Sequence, residues 1–176
     1  MRVISGFARG RKLSAPEGKD VRPTTDKVKE SIFNILQFEL PESRVLDLFA
    51  GSGQLGIEAL SRGAESCTFV DNSARSLGFV RSNLEHIGFL QNADVTLLQE
   101  DALRFLQRNR DTFDVALLDP PYRKDLLAQV LPLLVPHMSE GGSILCETAA
   151  EEVLPEKVGS FSCSKTYRYG KIKLTL

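Results

Sequence analysis

The stretch Arg44-Val45-Leu46-Asp47-Leu48-Phe49-Ala50-Gly51-Ser52-Gly53-Gln54-Leu55-Gly56 decides the fold. Arg44–Phe49 reads as a strand, the glycines as a tight turn, and the residues after them as a helix ending at Gly63. Gly51 and Gly53 permit the turn and let the backbone come close to a ligand. The same alternation continues down the chain. Strands are expected at Ser66–Asp71, Val95–Gln99, Phe113–Asp119 and, after Gly141-Gly142, at Ser143–Glu147. Between them run helical spacings: Leu77, Val80, Leu84 and Ile87 before Gly88, a short helix after Asp101, and Leu127, Val130, Leu131 and Leu134, ended or kinked by Pro132. Strands alternating with helices predict the α/β class with a mostly parallel sheet. Phe161–Thr166 and Lys171–Leu176 alternate apolar and polar residues around Tyr167-Arg168-Tyr169-Gly170, and predict a closing antiparallel hairpin.

Ahead of the sheet, residues 24–38 read as a helix capped by Thr24 or Thr25, with Asp26 in its first turn and Val28, Ile32, Ile35 and Leu36 on one face. Arg2–Ser5 and Lys12–Ser14 look like short extended pieces of a basic arm. The expected organisation is one domain over 1–176, divided into a basic arm (1–23), a leading helix (24–40) and a core (44–176).

Composition narrows the function classes. At 42% hydrophobic and 26% charged, the chain is ordinary for a water-soluble globular protein. No apolar segment follows Met1-Arg2, so no secretory signal is expected, and the most apolar window, Leu126 to Pro136, is too short to span a bilayer. A cytoplasmic protein is the expectation. Cys67, Cys146 and Cys163 are widely spaced, without a CxxC, and read as reduced, buried thiols. His86 and His137 read as solvent-facing helix ends, and no metal is expected.

The net charge of −1 hides a segregation: residues 1–29 carry eight Lys/Arg against three acids, 160–176 carry four Lys/Arg and no acid, and 30–159 carry a net of −10. A basic head and tail on an acidic body suit a polyanion docked on one face. Lysines that protect an edge strand explain the tail equally well. In Gly6-Phe7-Ala8-Arg9-Gly10-Arg11-Lys12, a Phe and two Gly lie among the cations, which favours nucleic acid.

Ligands of an open parallel sheet sit beyond the carboxyl ends of its strands. Asp47, Asp71, Asp101 and Asp119 end or just follow the first four strands. The GxGxxG of Gly51, Gly53 and Gly56 does not choose between cofactors, and Asp71 is placed for a ribose diol in either case. Asp47 does choose. A pyrophosphate charge at ~6 Å from a carboxylate is repelled by about 3 kcal/mol at an effective dielectric of ~20. S-adenosylmethionine carries an ammonium and a sulfonium instead, so an acidic rim favours it over NAD. Asp101 and Ala102 would accept from the adenine amine and donate a backbone N–H to the ring.

Asp119-Pro120-Pro121-Tyr122 closes the fourth strand with carboxylate and carbonyl acceptors in one plane and a flat ring beside them. That set suits a planar ring bearing an exocyclic amine. These residues resemble a known family. Asp47–Gly53 is similar to motif I of class I S-adenosylmethionine-dependent methyltransferases, and Asp119–Tyr122 to the [D/N]PP[Y/F] motif of amino-group methyltransferases. Met1–Gly6, Arg9–Leu13, Arg22–Glu30 and Ala59–Ala64 resemble the RsmD-type bacterial 16S ribosomal RNA guanine-N2 methyltransferases. The resemblance runs from residue 1 to about 122, and more faintly through Glu147 and Tyr169-Gly170. It departs at Asp71, where a Glu is usual.

The resemblance implies a Rossmann-like class I methyltransferase sheet and methyl transfer from S-adenosylmethionine, leaving S-adenosylhomocysteine, to the 2-amino group of one guanine in small-subunit RNA. Asp119, Pro120 and Tyr122 would be catalytic: the Asp119 carboxylate and Pro120 carbonyl accept the two amine N–H bonds, and Tyr122 stacks on the base. Thr24, Asp47, Phe49, Gly51, Gly53, Asp71, Asp101 and Ala102 would hold the cofactor, with the segment Arg22–Asp26 closing over its methionine end. Arg9, Arg11, Lys12 and Arg22 would meet 16S RNA, in the small subunit or an assembly intermediate. A monomer is expected. A DNA adenine methyltransferase would share the Asp119 motif but usually adds a recognition region. A protein glutamine methyltransferase would favour Asn at position 119. A non-catalytic NAD- or RNA-binding module also fits the glycine turn.

Overall fold

Short apolar segments with period-two patterning settle side by side in the computed structural model, which describes residues 1–15, 25–121 and 125–176. The expectations for Arg22, Thr24 and Tyr122 lie outside these residues. Strands β1 (Arg44–Asp47), β2 (Ser66–Asp71), β3 (Asp94–Gln99), β4 (Phe113–Leu118) and β5 (Met138–Ala149) pair in parallel. β6 (Lys157–Val158) and β7 (Phe161–Ser162) form a separate two-stranded sheet, while β8 (Thr166–Tyr169) and β9 (Ile172–Thr175) join the main one. The seven-stranded order is β3-β2-β1-β4-β5-β9-β8, with β9 antiparallel to β5 and to β8.

Successive side chains of a strand point to opposite faces, so the central strands feed two cores. Val45, Cys67, Phe69, Val115 and Leu117 pack on one side with α1 (Asp26–Ile35), α2 (Gln54–Ser61) and α3 (Ala74–Ile87). α4 (Phe89–Asn92) is one turn that patterning did not signal; on the other side of the sheet, Leu46, Val70, Ala116 and Leu118 pack with α5 (Ala102–Arg108) and α6 (Leu126–Leu134). The leading helix is capped by Thr25, whose Oγ1 accepts from Val28 N at 3.3 Å. Its buried face is Val28, Lys29, Ile32 and Phe33. Ile35, expected on that face, is only half-buried. Phe33 instead meets the Arg62 guanidinium at 5.0 Å.

Several expectations are corrected. The closing hairpin exists, but its first arm is Thr166–Tyr169 rather than Phe161–Thr166. Phe161 pairs with Val158 instead, which puts Tyr167 and Tyr169 in the strand and moves the turn to Gly170-Lys171. Gly141-Gly142 lies inside β5, not before it. There the register against β4 shifts between Phe113 and Val115, and a side chain at Gly142 would come within 2.9 Å of the Asp114 carbonyl. The glycines make a bulge. Pro132 neither ends nor precedes a break in α6, because the carbonyl it leaves unbonded belongs to solvent-exposed Ala128. Cys67 and Cys146 are buried, their thiols pushed up by desolvation, in Cys146 to about 12, but Cys163 is exposed. His86 is exposed as expected. His137 is half-buried, its Nε2 at 2.8 Å from the Leu106 carbonyl.

The basic arm is a hairpin lying along α2. Arg2 bridges Lys12, Val3 N donates to Arg11 O at 2.9 Å, and Leu13 N donates to Met1 O at 3.0 Å. Buried Glu58 of α2 accepts from Ile4 N and Ser5 N at 2.7 and 2.9 Å. The Ser61 hydroxyl, at the last residue of α2, accepts from Ala8 N at 2.9 Å and donates to Ser5 O at 2.6 Å. Val3 and Leu13 complete the seal by packing into the core.

Candidate active site

From β1 the chain proceeds to β2 and β3 on one side, and from β4 to β5 on the other, so the switch point falls between β1 and β4. Asp47, the last residue of β1, lies opposite Phe69 and Leu117. Asp71 and Asp119 each stand two residues further along the flanking strands. With ~3.3 Å per residue and ~4.8 Å between strands, each Cα is roughly 8 Å from that of Asp47. Asp101 stands two residues beyond Gln99, which lies opposite Asp71. Register alone therefore gathers the four acids.

A cleft of about 490 Å³ opens at that point, lined by all four acids together with Phe49, Gly51, Ala102 and Pro120. Gly53 does not line it. Left-handed at φ 79°, Gly53 begins α2 beneath the turn and donates to Ala50 O at 2.7 Å. Gly56 serves packing: a side chain there would meet the Phe69 ring at 2.3 Å and the Cys67 sulfur at 2.7 Å. A larger cavity of about 730 Å³ lies between β5 and the β6–β7 pair and contains none of the expected site residues. The acids and the glycine turn, not size, mark the smaller cleft as the site.

Asp47 is 1% exposed. Its Oδ2 accepts from Gly56 N at 2.9 Å, and its Oδ1 has no hydrogen-bond partner among the described residues. Burial raises its pKa to about 7; the Gly56 bond opposes this, and the charges of Asp119 and Asp71 add to it. Asp71 accepts from Gly51 N and Ser73 N, both at 2.8 Å, and so ties the glycine turn to the start of α3. Each of its oxygens keeps a second lone pair for a ligand. Asp101 caps α5, its Oδ1 accepting from Leu103 N and Arg104 N at 3.0 and 3.2 Å.

Several residues at this site escaped sequence reasoning, among them Met1, Gln54, Asn83, Glu100 and Glu147. Gln54 and Met1 line the cleft, and the Gln54 Oε1 is buried without a partner among the described residues. Glu147, also in the lining, is 3% exposed. Asn83 is 2% exposed; its Nδ2 donates to Ser52 O and Ser14 O, both at 2.9 Å, and its Oδ1 accepts from Ser14 N at 2.8 Å. It bolts the arm to the glycine turn. One signal existed for Asn83: a polar residue on the apolar face of a helix, between Val80 and Leu84.

Six carboxylates line the cleft (Asp47, Asp71, Glu100, Asp101, Asp119, Glu147), and no Lys, Arg or His does so among the described residues. Glu100 is engaged by Arg108, whose hydrogen bonds hold its carboxyl below the usual range. Orphaned acceptors at Asp47 and Gln54 ask for a ligand that brings N–H donors and positive charge. S-adenosylmethionine fits that demand, and a pyrophosphate does not. Among the described residues no group of three or more His, Cys, Asp or Glu is placed to hold a metal ion.

Fold and cleft together define the class of S-adenosylmethionine-dependent methyltransferases. The chain belongs to the ribosomal RNA small subunit methyltransferase D family. A family model described as "Conserved hypothetical protein 95" matches residues 1–176. The chain is similar to the Bacillus subtilis protein named "Putative rRNA methyltransferase YlbH", at 46% identity over 175 residues, covering 97% of this chain and 94% of that one. It is also similar to the Escherichia coli ribosomal RNA small subunit methyltransferase D, at 32% over 178 residues, covering 100% and 88%. The solved structure of the Escherichia coli yhhF protein superposes with a TM-score of 0.87 at 32% identity, covering 99% and 95%. No helix among the described residues is long and apolar enough to cross a membrane.

Proposed function

We propose that this chain transfers the methyl group of S-adenosylmethionine to the exocyclic N2 amine of a guanine in 16S ribosomal RNA, in the small subunit or an assembly intermediate, as a cytoplasmic monomer without a metal. The observation that carries this is the shared cleft. An acid-lined pocket with an orphaned Asp47 oxygen opens beside Asp119 and Pro120. The curated relatives bearing rRNA methyltransferase names support the substrate class.

Bound S-adenosylmethionine would supply an electrophilic methyl group on a sulfonium. Asp47 would pair its charge with the ammonium of the methionine end, Asp71 would take the ribose diol, and Phe49, Asp101 and Ala102 would frame the adenine. Gly51 would admit the backbone close to the ligand, Gly53 would shape that turn from beneath, and Thr24 would close over it. The guanine amine is a poor nucleophile because its lone pair conjugates with the ring. Asp119 and the Pro120 carbonyl would each accept one of its N–H bonds and turn the lone pair toward the methyl group, with Tyr122 stacking on the base. In-line positioning of this kind supplies several kcal/mol, up to about 7–11 in ideal cases. The guanine must be unpaired or flipped out, at a cost of about a few kcal/mol. Arg9, Arg11, Lys12 and Arg22 would hold the RNA.

Labelled-methyl transfer to protein-free 16S RNA, small subunits and DNA tests this. The expected result is label in RNA or subunits, recovered as N2-methylguanine. Label in DNA alone, or calorimetric binding of NAD with none of S-adenosylmethionine, would overturn it. Asp119→Ala should keep cofactor binding and lower kcat on the order of 10²–10³-fold, the loss seen when one oriented hydrogen-bonding group is removed from a reacting centre.

A further inference from the structure

Three large apolar side chains stand out of the described surface: Phe7 at 88% exposure, Phe38 at 89% and Val153 at 87%. Phe38 has Glu39 and Glu42 as sequence neighbours, and Val153 has Glu151 and Glu152. Phe7 is followed by Arg9, Arg11 and Lys12, all exposed and without an ion-pair partner among the described residues, whereas Arg2 of the same arm is paired with Asp26 at 3.1 Å. Three unneutralised cations beside a bare ring call for an anionic partner that also has flat faces.

The loop carrying the ring is built to hold it still. Phe7 N donates to Ser61 O at 2.8 Å and Ala8 N to the Ser61 hydroxyl at 2.9 Å. Gly10 N donates to Val3 O at 2.9 Å, Arg9 N to Gly6 O at 3.2 Å and Arg11 N to Ala8 O at 3.1 Å. Gly6 sits at φ 81°, where a side chain would fall 1.7 Å from the Ser61 carbonyl oxygen, so the loop presses directly on the end of α2. A ring held out on fixed backbone loses little freedom on binding.

We propose that Phe7 is a stacking platform for an unpaired base of the substrate RNA, with Arg9, Arg11 and Lys12 taking the flanking phosphates. Phe7 touches α2 at its last residue, Ser61, whereas the glycine turn precedes its first. At ~1.5 Å per residue the two lie roughly 12 Å apart along the helix. The stacked base is therefore a second one, distinct from the base whose amine meets Asp119, and the site reads the RNA away from the reaction. The inference rests on the RNA substrate proposed above.

Phe7→Ala, Phe7→Leu and Phe7→Trp test it in steady-state methylation of protein-free RNA at fixed salt. Stacking is worth ~1–3 kcal/mol per base, so Ala and Leu should raise the RNA KM about 5- to 160-fold, with kcat and cofactor affinity unchanged. Trp should stay close to the parent, because it keeps the π face. The chain contains no tryptophan, so the introduced indole reports alone. Its emission should be quenched saturably by single-stranded RNA and not by inorganic polyphosphate. Unchanged KM in Ala, a Leu variant that matches the parent, or equal quenching by polyphosphate each overturns the inference. So does a KM that rises only on assembled subunits, because the ring then meets protein. If the parent methylates no RNA at all, the proposed substrate has failed, and the fluorescence titration alone decides for or against Phe7.

Discussion

Glu58 in the middle of α2 and Asp47 at the end of β1 are equally sealed from solvent, at 0% and 1% exposure. Glu58 is surrounded by donors: Ile4 N at 2.7 Å, Ser5 N and the Arg62 Nε both at 2.9 Å, and the Lys29 ammonium at 3.8 Å. Lys29 is itself fully buried, donates to the Arg2 carbonyl, and has its pKa lowered by desolvation against the pull of Glu58. Asp47 lines the cleft with one backbone donor, and its Oδ1 has no hydrogen-bond partner among the described residues. A buried charge with all its partners in the chain is a fastening, and here it fastens the basic arm. A buried acid left one partner short beside an open cleft has an acceptor to spare, and the cofactor proposed above would fill it. Arg44 and Asp114 fasten the chain in the same way from a half-exposed position: the guanidinium and the Ser139 hydroxyl hold the Asp114 carboxyl far below the usual range, which ties β1, β4 and β5 together at the end away from the cleft.

The difference is sharpest in stability. Glu58→Gln should destabilise the chain by about 3–5 kcal/mol in denaturant titration, because it strands the Lys29 charge in the core. Adding Lys29→Met should restore part of that loss. Asp47→Asn should do the reverse: stability of the ligand-free chain at pH 8 stays level or rises, and S-adenosylmethionine affinity falls roughly 10- to 160-fold, the worth of about 1.5–3 kcal/mol for a charged hydrogen bond. Equal stability losses in the two variants would erase the distinction.

Titration gives a second handle on Asp47. Asp47 goes from an ordinary 3.8 to about 7 on folding, so between those values the folded chain holds the extra proton. Its contribution to stability therefore falls as pH rises from 3.8 to about 7, and is level above. A cationic ligand favours the carboxylate, so binding releases a proton and affinity improves as pH rises through 7. Calorimetry should show affinity at pH 6 about tenfold weaker than at pH 8, and proton release in buffers of different ionisation enthalpy. Both effects should vanish in Asp47→Asn.

The smallest effect is expected where fastening and cleft meet. Asn83→Ala removes the bond to the Ser52 carbonyl and should raise the cofactor KM about fivefold, the worth of ~1 kcal/mol, with kcat unchanged. A change in kcat instead would mean that Asn83 orients the reaction rather than the cofactor turn.

Residue patterning alone located the parallel strands and most helices, because strands buried on both faces read as short apolar runs while helices with one buried face repeat every three to four residues. It also placed Asp47, Asp71, Asp101 and Asp119 at strand ends, and the resemblance of the arm and the Asp119 motif pointed to the family to which the chain belongs. The pattern could not separate two ways of pairing the last strands, since Phe161–Thr166 and Thr166–Tyr169 alternate equally well. Nor could it tell a turn from a bulge at Gly141-Gly142. Only the tertiary structure decided that Asp47 is buried with a bare oxygen, that Glu58 holds the arm, and that Asn83 joins Ser14 to the glycine turn. The last two rest on partners 54 and 69 residues apart, Ile4 with Glu58 and Ser14 with Asn83. Local sequence sets the conformations a segment prefers, but the donors that reach a buried carboxylate are set by how distant segments pack.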